Sequence, residues 1–288
     1  MTTTQAIAYA MAQGLERLDA QLLVLFALGR LPLGGTGAER AWLLSHDTDT
    51  LDAASQSRFD TALKRRLSGE PFAYITGHQE FFGLDFAVDA RVLVPRPDTE
   101  TLVEWALELL PKDSQARVID LGTGSGAIAL ALKQHRPTTQ MHALDFSEDA
   151  LEVAKDNASR LGLDVDFLQG SWLTAVNEVF DVIVSNPPYI ANQDAHLEKL
   201  RYEPLQALTS GADGLDDLRT ITLQASTALT HGGWLLLEHG FDQASAVRTL
   251  LTHTGFSSVQ SRQDLAGIER CSAGQWFNPN PSPSDSRH

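Results

Sequence analysis

From Arg117 onward, short apolar runs alternate with stretches in which apolar residues recur every three or four positions. No other feature constrains the fold as strongly. A strand followed by a helix must return alongside the first strand, so this alternation predicts a largely parallel sheet covered on both faces. Strands are expected at 118–121, 141–144, 165–168, 180–184 and 234–237, and helices at 127–133, 150–161 and 244–251. The Pro-rich polar stretch after Phe277 offers nothing to pack and is expected to form a flexible tail over 278–288.

The first third reads differently. Ile7, Met11, Leu15, Leu18, Leu22 and Leu25 recur at helical spacing and predict one buried helix face, stopped by Pro32 and by Gly34, Gly35 and Gly37. Those glycines follow no strand and precede no lysine, so they read as a plain loop rather than a phosphate cradle. Phe59, Leu63 and Leu67 predict a second helix, halted at Ser68-Gly69-Glu70-Pro71. Residues 1–75 therefore read as a small helical bundle. Between His78 and Pro97, the residues Phe81, Phe82, Leu84, Phe86, Val88, Val92 and Val94 approximate strand alternation broken at Gly83 and Asp89-Ala90, which predicts a hairpin linking two domains. Asp98 is placed to cap a helix carrying Leu102, Val103, Trp105 and Leu109.

Asp120-Leu-Gly-Thr-Gly-Ser-Gly126 follows a predicted strand and opens a helix. Glycines there allow positive φ and close approach of a ligand to the backbone. Gly122-x-Gly124-x-x-Ala127, with Asp145 near the spacing for a ribose contact, also fits a dinucleotide fingerprint. Two features favour S-adenosylmethionine: a carboxylate, Asp120, read as lying within the turn where a pyrophosphate would sit, and a ligand that is cationic at sulfur. Asp145 ends the second strand, where a carboxylate can accept from both ribose hydroxyls; Ser147 competes for the role of capping the next helix.

Ser185-Asn186-Pro187-Pro188-Tyr189 follows another predicted strand. The side-chain oxygen of Asn186 and the carbonyl of Pro187 can each accept a hydrogen from an NH₂ group. The two prolines hold those acceptors at fixed φ, and Tyr189 can lie flat against a planar conjugated group. Asn-Pro is also a common turn dipeptide, but its place at a strand end downstream of the glycine loop favours recognition of a planar NH₂.

Composition bounds the partners. Of a net charge of −15, only −1 falls on residues 1–75, with seven basic and eight acidic side chains, and −14 on the rest. Phosphate-backbone binding rests on Lys and Arg, so DNA or RNA is not expected as the main ligand. The longest apolar run, 22–28, is far short of the roughly 20 residues a membrane span needs. A single cysteine, Cys271, and an N-terminus without a basic, apolar leader fit a cytoplasmic protein; no metal site is expected.

With these motifs in view, the chain resembles class I S-adenosylmethionine-dependent methyltransferases that act on NH₂ groups, and more narrowly the glutamine N5-methyltransferases that modify bacterial peptide-chain release factors. Further stretches carry the resemblance: Phe81-Phe-Gly-Leu84, 92–100 (Val-Leu-Val-Pro-Arg-Pro-Asp-Thr-Glu), Arg201-Tyr-Glu-Pro204, 211–216, Leu237-Glu-His-Gly240 and Asp264-Leu-Ala-Gly267. The resemblance implies an N-terminal helical substrate-recognition domain (1–75), a β-hairpin linker (76–97) and a seven-stranded, Rossmann-like α/β methyltransferase domain (98–277). It implies that Gly122, Thr123, Gly124, Ser125 and Gly126 line the methyl-donor pocket, that Asp145 holds the ribose, and that Trp172 packs beside the adenine. Judged by itself, Trp172 reads as a core aromatic. The resemblance also implies that Asn186, Pro187, Pro188 and Tyr189 hold the substrate glutamine amide, with Asn186 lying near the donor as well. The implied partner is a class 1 release factor. Arg96 and Glu100 match a family motif without a chemical step; from residue type alone they read as a linker-tethering ion and a helix-start acid. His239 follows a strand but has no nucleophile or metal cluster beside it, and most of the nine histidines read as surface or loop residues. A ribosomal-protein glutamine and a nucleic-acid amino group remain alternative acceptors, the second lacking the basic recognition region such enzymes usually add.

Overall fold

A Schellman turn divides the first helical pattern in two. The computed structural model describes residues 1–31, 37–174 and 176–278. Helix α1 (Thr3–Ala12) is opened by a capping box between Thr2 and Gln5. It ends where Gly14 turns left-handed at φ +104°, with the Gly14 and Leu15 N–H groups donating to Met11 O and Ala10 O at 3.0 and 3.2 Å. Helix α2 (Arg17–Ala27) starts in a new phase. The expected single buried face is therefore corrected: Ala6 and Ala10 are buried in α1 and Leu23, Val24 and Leu25 in α2, whereas Met11 and Leu18 are 42% and 47% exposed. Helices α3 (Gly37–Ser45), α4 (Ala53–Leu67) and α5 (Phe72–Thr76) complete the bundle. The loop expected at Pro32, Gly34 and Gly35 lies outside the described residues, and Gly37 opens α3. Leu23, Leu25 and Phe59 are fully buried in one cluster, each stabilising it by about 1.5–3 kcal/mol.

Strands β1 (His78–Phe81) and β2 (Leu84–Ala87) pair antiparallel around Phe82 and Gly83, both at positive φ (50° and 77°), the twist a two-residue hairpin requires. The hairpin is thus shorter than 78–97: Val92 and Val94 are buried but lie outside any strand. The chain divides into two compact units at Ala90/Arg91, so the hairpin belongs to the helical unit and residues 91–97 to the second. Hydrogen bonding accounts for this, since Val88 N–H closes the hairpin onto Gly77 O while Val94 N–H donates to Glu203.

The second unit contains α6 (Glu100–Leu109), β3 (Arg117–Leu121), α7 (Ala127–His135), β4 (Gln140–Asp145), α8 (Glu148–Leu161), β5 (Asp166–Gln169), β6 (Phe180–Ser185), α9 (Asp216–Ala228), β7 (Leu229–Glu238), α10 (Ala244–Thr254), β8 (Ser257–Gln263) and β9 (Glu269–Gln275). The strands form a seven-stranded sheet in the order β5-β4-β3-β6-β7-β9-β8. Strands β5, β4, β3, β6 and β7 are parallel, and β9 lies antiparallel between β7 and β8. This is the expected Rossmann-like α/β class. Helix α9 and strands β8 and β9 are additions to the elements read from periodicity, and the two strands bring the sheet to the seven that the resemblance implied. Asp98 does not cap α6: a short 3-10 turn (Pro97–Thr99) intervenes, and Asp98 pairs with Arg270 at 3.1 Å. The expected tail over 278–288 lies outside the described residues beyond Asn278. Among the described residues, no helix is long and apolar enough to cross a membrane.

Candidate active site

Winding reverses between β3 and β6, and open α/β sheets bind ligands outside the strand ends at such a switch point. Register brings the ends together: Leu121 pairs with both Leu144 and Ser185, and Asp145 with Gln169. Ser185 fixes the β6 end further, its hydroxyl donating to Leu121 O at 2.7 Å in a buried bond. That contact sets Asn186 beside the glycine loop. A cavity of about 250 Å³ opens there, with Gly122, Gly124, Asp145, Trp172, Asn186 and Pro188 in its walls.

Gly122, Gly124 and Gly126 all take positive φ, at 71°, 55° and 84°. A Cβ on Gly122 would meet the Trp172 ring at 3.3 Å, and one on Gly126 would meet Leu130 at 3.0 Å, so these two positions need glycine for packing as well as conformation. Four of the loop amides donate to the protein itself. Gly122 and Thr123 N–H donate to Leu144 O at 2.8 and 3.0 Å, and Gly126 N–H to Thr123 O at 2.8 Å. Gly124 N–H donates to Asp145 Oδ2 at 2.9 Å. A pyrophosphate would need such N–H groups free. Their engagement discriminates against a dinucleotide.

Asp120 is not part of the turn, which corrects the expectation from sequence. It remains in β3, paired with Ala143 and Val184, because the strand continues to Leu121. Its side chain is fully buried beneath the loop, where it accepts from Thr123 Oγ1 at 2.7 Å, and burial pushes its carboxyl up to about 7. Thr123 and Ser125 are buried too, and Asn157 on α8 donates to Ser125 O at 2.9 Å. Of the five loop residues, Gly122 and Gly124 reach the cavity, while Thr123, Ser125 and Gly126 build the turn behind it.

Asp145 stands on the cavity wall, its Oδ1 accepting from Ser147 N–H at 2.9 Å, and burial raises its carboxyl pKa. Ser147, rather than Asp145, caps α8 by accepting from Ala150 N–H. Trp172 lines the cavity instead of joining the core outright. Its indole Nε1 donates to Asp217 Oδ1 at 3.0 Å, and its backbone is held at φ +49°. Asn186 and Pro188 reach the wall; Pro187 is buried, and Tyr189 is half-buried against the core, where burial raises its phenol pKa.

Several wall residues escaped sequence reasoning. Arg91, Val92 and Leu93 precede α6, and Pro204, Gln206 and Ala207 lie in or just after the Arg201-Tyr-Glu-Pro204 stretch. One buried carboxylate joins the two segments. Glu203, its side chain 2% exposed, pairs with Arg96 and accepts from Val94 N–H at 3.2 Å. Arg96 is thus a tether, as residue type suggested, and Glu203 is its anchor; the Glu-Pro motif was the only signal. Glu100 lies in the first turn of α6. His239 is not on the cavity wall. It is buried, bonded to Gly240 O and Ser272 Oγ, and burial lowers its pKa.

The comparisons with known proteins agree with this geometry. Residues 99–212 match the family model described as the methyltransferase small domain, and residues 4–77 that of the PrmC N-terminal domain. The release factor glutamine methyltransferase of Bordetella pertussis is 49% identical over 265 residues, 91% of this chain and 95% of its own. That of Xylella fastidiosa (strain Temecula1) is 47% identical over 279 residues, 96% of this chain and 98% of its own. A crystal structure of a methyltransferase from Pyrococcus furiosus, 18% identical, covers 78% of this chain and 100% of its own at a TM-score of 0.54, a likeness of fold alone. With nearly half of all positions identical across almost the full length of both chains, this chain belongs to the release factor glutamine methyltransferase family.

Proposed function

We propose that this enzyme transfers a methyl group from S-adenosylmethionine to N5 of the glutamine in the Gly-Gly-Gln motif of class 1 release factors. The products are N5-methylglutamine and S-adenosylhomocysteine. The observation that carries the reading is the meeting, at one cavity, of a glycine loop with internally bonded amides and Asn186 and Pro188 of the Asn186-Pro187-Pro188-Tyr189 segment. The donor fits the residues present. Asp145 offers carboxylate oxygens for the ribose hydroxyls, Trp172 offers an aromatic wall for the adenine, and the carboxylates of Asp145 and Asp217 suit a cationic sulfonium.

When bound, S-adenosylmethionine supplies an electrophilic methyl on a positive sulfur. Asn186 Oδ1 and Pro187 O accept the two hydrogens of the substrate amide. An amide nitrogen is a poor nucleophile because its lone pair is delocalised into the carbonyl. Two fixed acceptors raise electron density on that nitrogen and orient it for in-line attack, which is positioning and electrostatic catalysis. The prolines add rigidity, and Tyr189 stacks against the planar amide in this reading. The nitrogen gives up one proton after transfer; the N-methylated cation is acidic enough to lose it to water, and His239 takes no part.

Residues 1–90 serve substrate recognition in this proposal. Among the described residues, the cavity walls all come from Arg91 onward, so the helical unit is free of the chemical step. The decisive experiment offers isotopically labelled donor together with a release factor, a large-subunit ribosomal protein or DNA. Label on the release-factor glutamine alone supports the assignment; label confined to either other acceptor refutes it.

A further inference from the structure

Behind the cavity wall, side chains from three separate parts of the chain meet. Thr99 precedes α6, Asn186 follows β6, and Glu238 ends β7; Thr99 and Glu238 are buried. Asn186 Nδ2 donates to Thr99 Oγ1 at 3.2 Å, and the Glu238 carboxyl lies close enough to both side chains for each to favour its charged form.

The donor count decides how the Asn186 amide points. A threonine hydroxyl carries one hydrogen, and Glu238, its carboxyl pushed up to about 7, carries none once the pH is above that value. With its hydrogen turned toward that carboxylate, Thr99 Oγ1 accepts from Asn186, which is the bond seen at 3.2 Å. The carboxylate, too, can only accept. Both inward partners require N–H, and the asparagine amide has one atom that supplies it. Nδ2 is therefore held inward and Oδ1 is left for the cavity side. Without such partners the two flipped amide orientations are nearly equivalent in shape, and one of them would present N–H groups to a substrate that is itself a donor.

We infer that Thr99 and Glu238 are positioning residues, which together hold the Asn186 amide with its oxygen toward the substrate NH₂ and exclude the flipped orientation. This rests on the reading of Asn186 as an acceptor for the substrate amide. A second effect acts in the same direction: an N–H donated to a carboxylate polarises the amide and makes Oδ1 a stronger acceptor. The surroundings set Glu238 apart from a stabilising ion pair. Burial pushes its carboxyl up to about 7, Asp98 pushes the same way and Arg270 opposes. Arg270 is itself engaged with Asp98 at 3.1 Å and Asp264 at 3.2 Å. Oε2 of Glu238 has no hydrogen-bond partner among the described residues. A buried carboxylate in that state costs stability, and its place directly behind the proposed amide clamp gives it a use.

The test is kinetic. Thr99→Val removes the hydroxyl and nearly keeps the shape, Thr99→Ser keeps the hydroxyl, and Glu238→Gln replaces a pure acceptor with a group that also donates. With saturating donor and release factor as acceptor, single-turnover rates are expected to fall about ten- to a hundredfold in Thr99→Val and Glu238→Gln, with donor affinity nearly unchanged. Thr99→Ser should restore most of the rate, which a packing role for the methyl group would not allow. In an Asn186→Ala background neither substitution should slow the enzyme further, because both act through that amide. Wild-type rate in Thr99→Val, or additive losses on top of Asn186→Ala, overturns the inference. If Glu238→Gln fails to fold, the Thr99 pair still decides. An Asn186→Ala enzyme at wild-type rate would instead remove the functional reading beneath it.

Discussion

Gly124→Ala adds one methyl group to the cavity wall at a backbone position already in the left-handed region, φ +55°. Two costs arise, and they can be separated. The first is conformational: an L-residue held there costs about 1–2 kcal/mol, which lowers Tm by about 2–8 °C for a unit of this size. The second exists only if the cavity holds the donor. No protein atom lies within 4 Å of the new Cβ, so the methyl projects into ligand space rather than into the protein. Overpacking of that kind costs about 1–3 kcal/mol, or about 5- to 150-fold in Kd. Gly162→Ala is the matched control. It ends α8 at φ +67°, its Cβ also meets nothing within 4 Å, and it is not part of the cavity wall. Thermal unfolding should show similar losses for the two variants. Calorimetric titration with S-adenosylmethionine should show weakened binding for Gly124→Ala alone. Equal donor affinity in both would place the donor elsewhere and refute the reasoning.

Asn186→Ala should lower the single-turnover rate about a hundredfold while donor affinity changes far less, because Asp145 and the loop remain; a variant that keeps most of its rate shows that the amide is held by other groups. Arg96→Ala leaves the Glu203 carboxylate buried without its cation, at about 1–3 kcal/mol, and adding Glu203→Gln should recover part of that loss in urea unfolding; strictly additive losses would argue against a coupled pair. Asp120 keeps its proton up to about pH 7 in the fold but loses it near 3.8 when unfolded. Between those values the native state binds more protons, so stability should decline as pH rises through this window, and Asp120→Asn should flatten the decline; an unchanged slope would count against the buried assignment. A fragment beginning at Arg91 should bind the donor yet methylate intact release factor far more slowly than the full chain, whereas equal rates would remove the recognition role of residues 1–90.

The parts legible in the sequence are those set by neighbours along the chain. Strands β3, β4 and β6 announce themselves because they are largely buried on both faces and read as short, mostly apolar runs. The glycine loop is legible because positive φ at a strand-to-helix turn selects glycine, and the Asn186 segment because paired prolines after a strand are rare outside rigid turns. Helix α9 carries a weaker signal, the helical spacing of Leu218, Ile221 and Ala225. Strand β9 is obscured by its own packing. Its core positions are small, and at Gly274 any Cβ would lie 2.8 Å from the Phe256 side chain, so the β-branched residues that mark a strand are missing.

What the tertiary structure decided is the pairing of polar groups remote in sequence: Arg96 and the Val94 N–H with Glu203, Trp172 with Asp217, and Asn186 with Thr99 beside the Glu238 carboxyl. In a sequence, a carboxylate destined for burial looks like one destined for water, because the residue type is the same and only its desolvation differs. Pattern therefore locates the cavity through the strands that end at it. Which atom of Asn186 faces that cavity depends on donors and acceptors that only the closed sheet brings within reach.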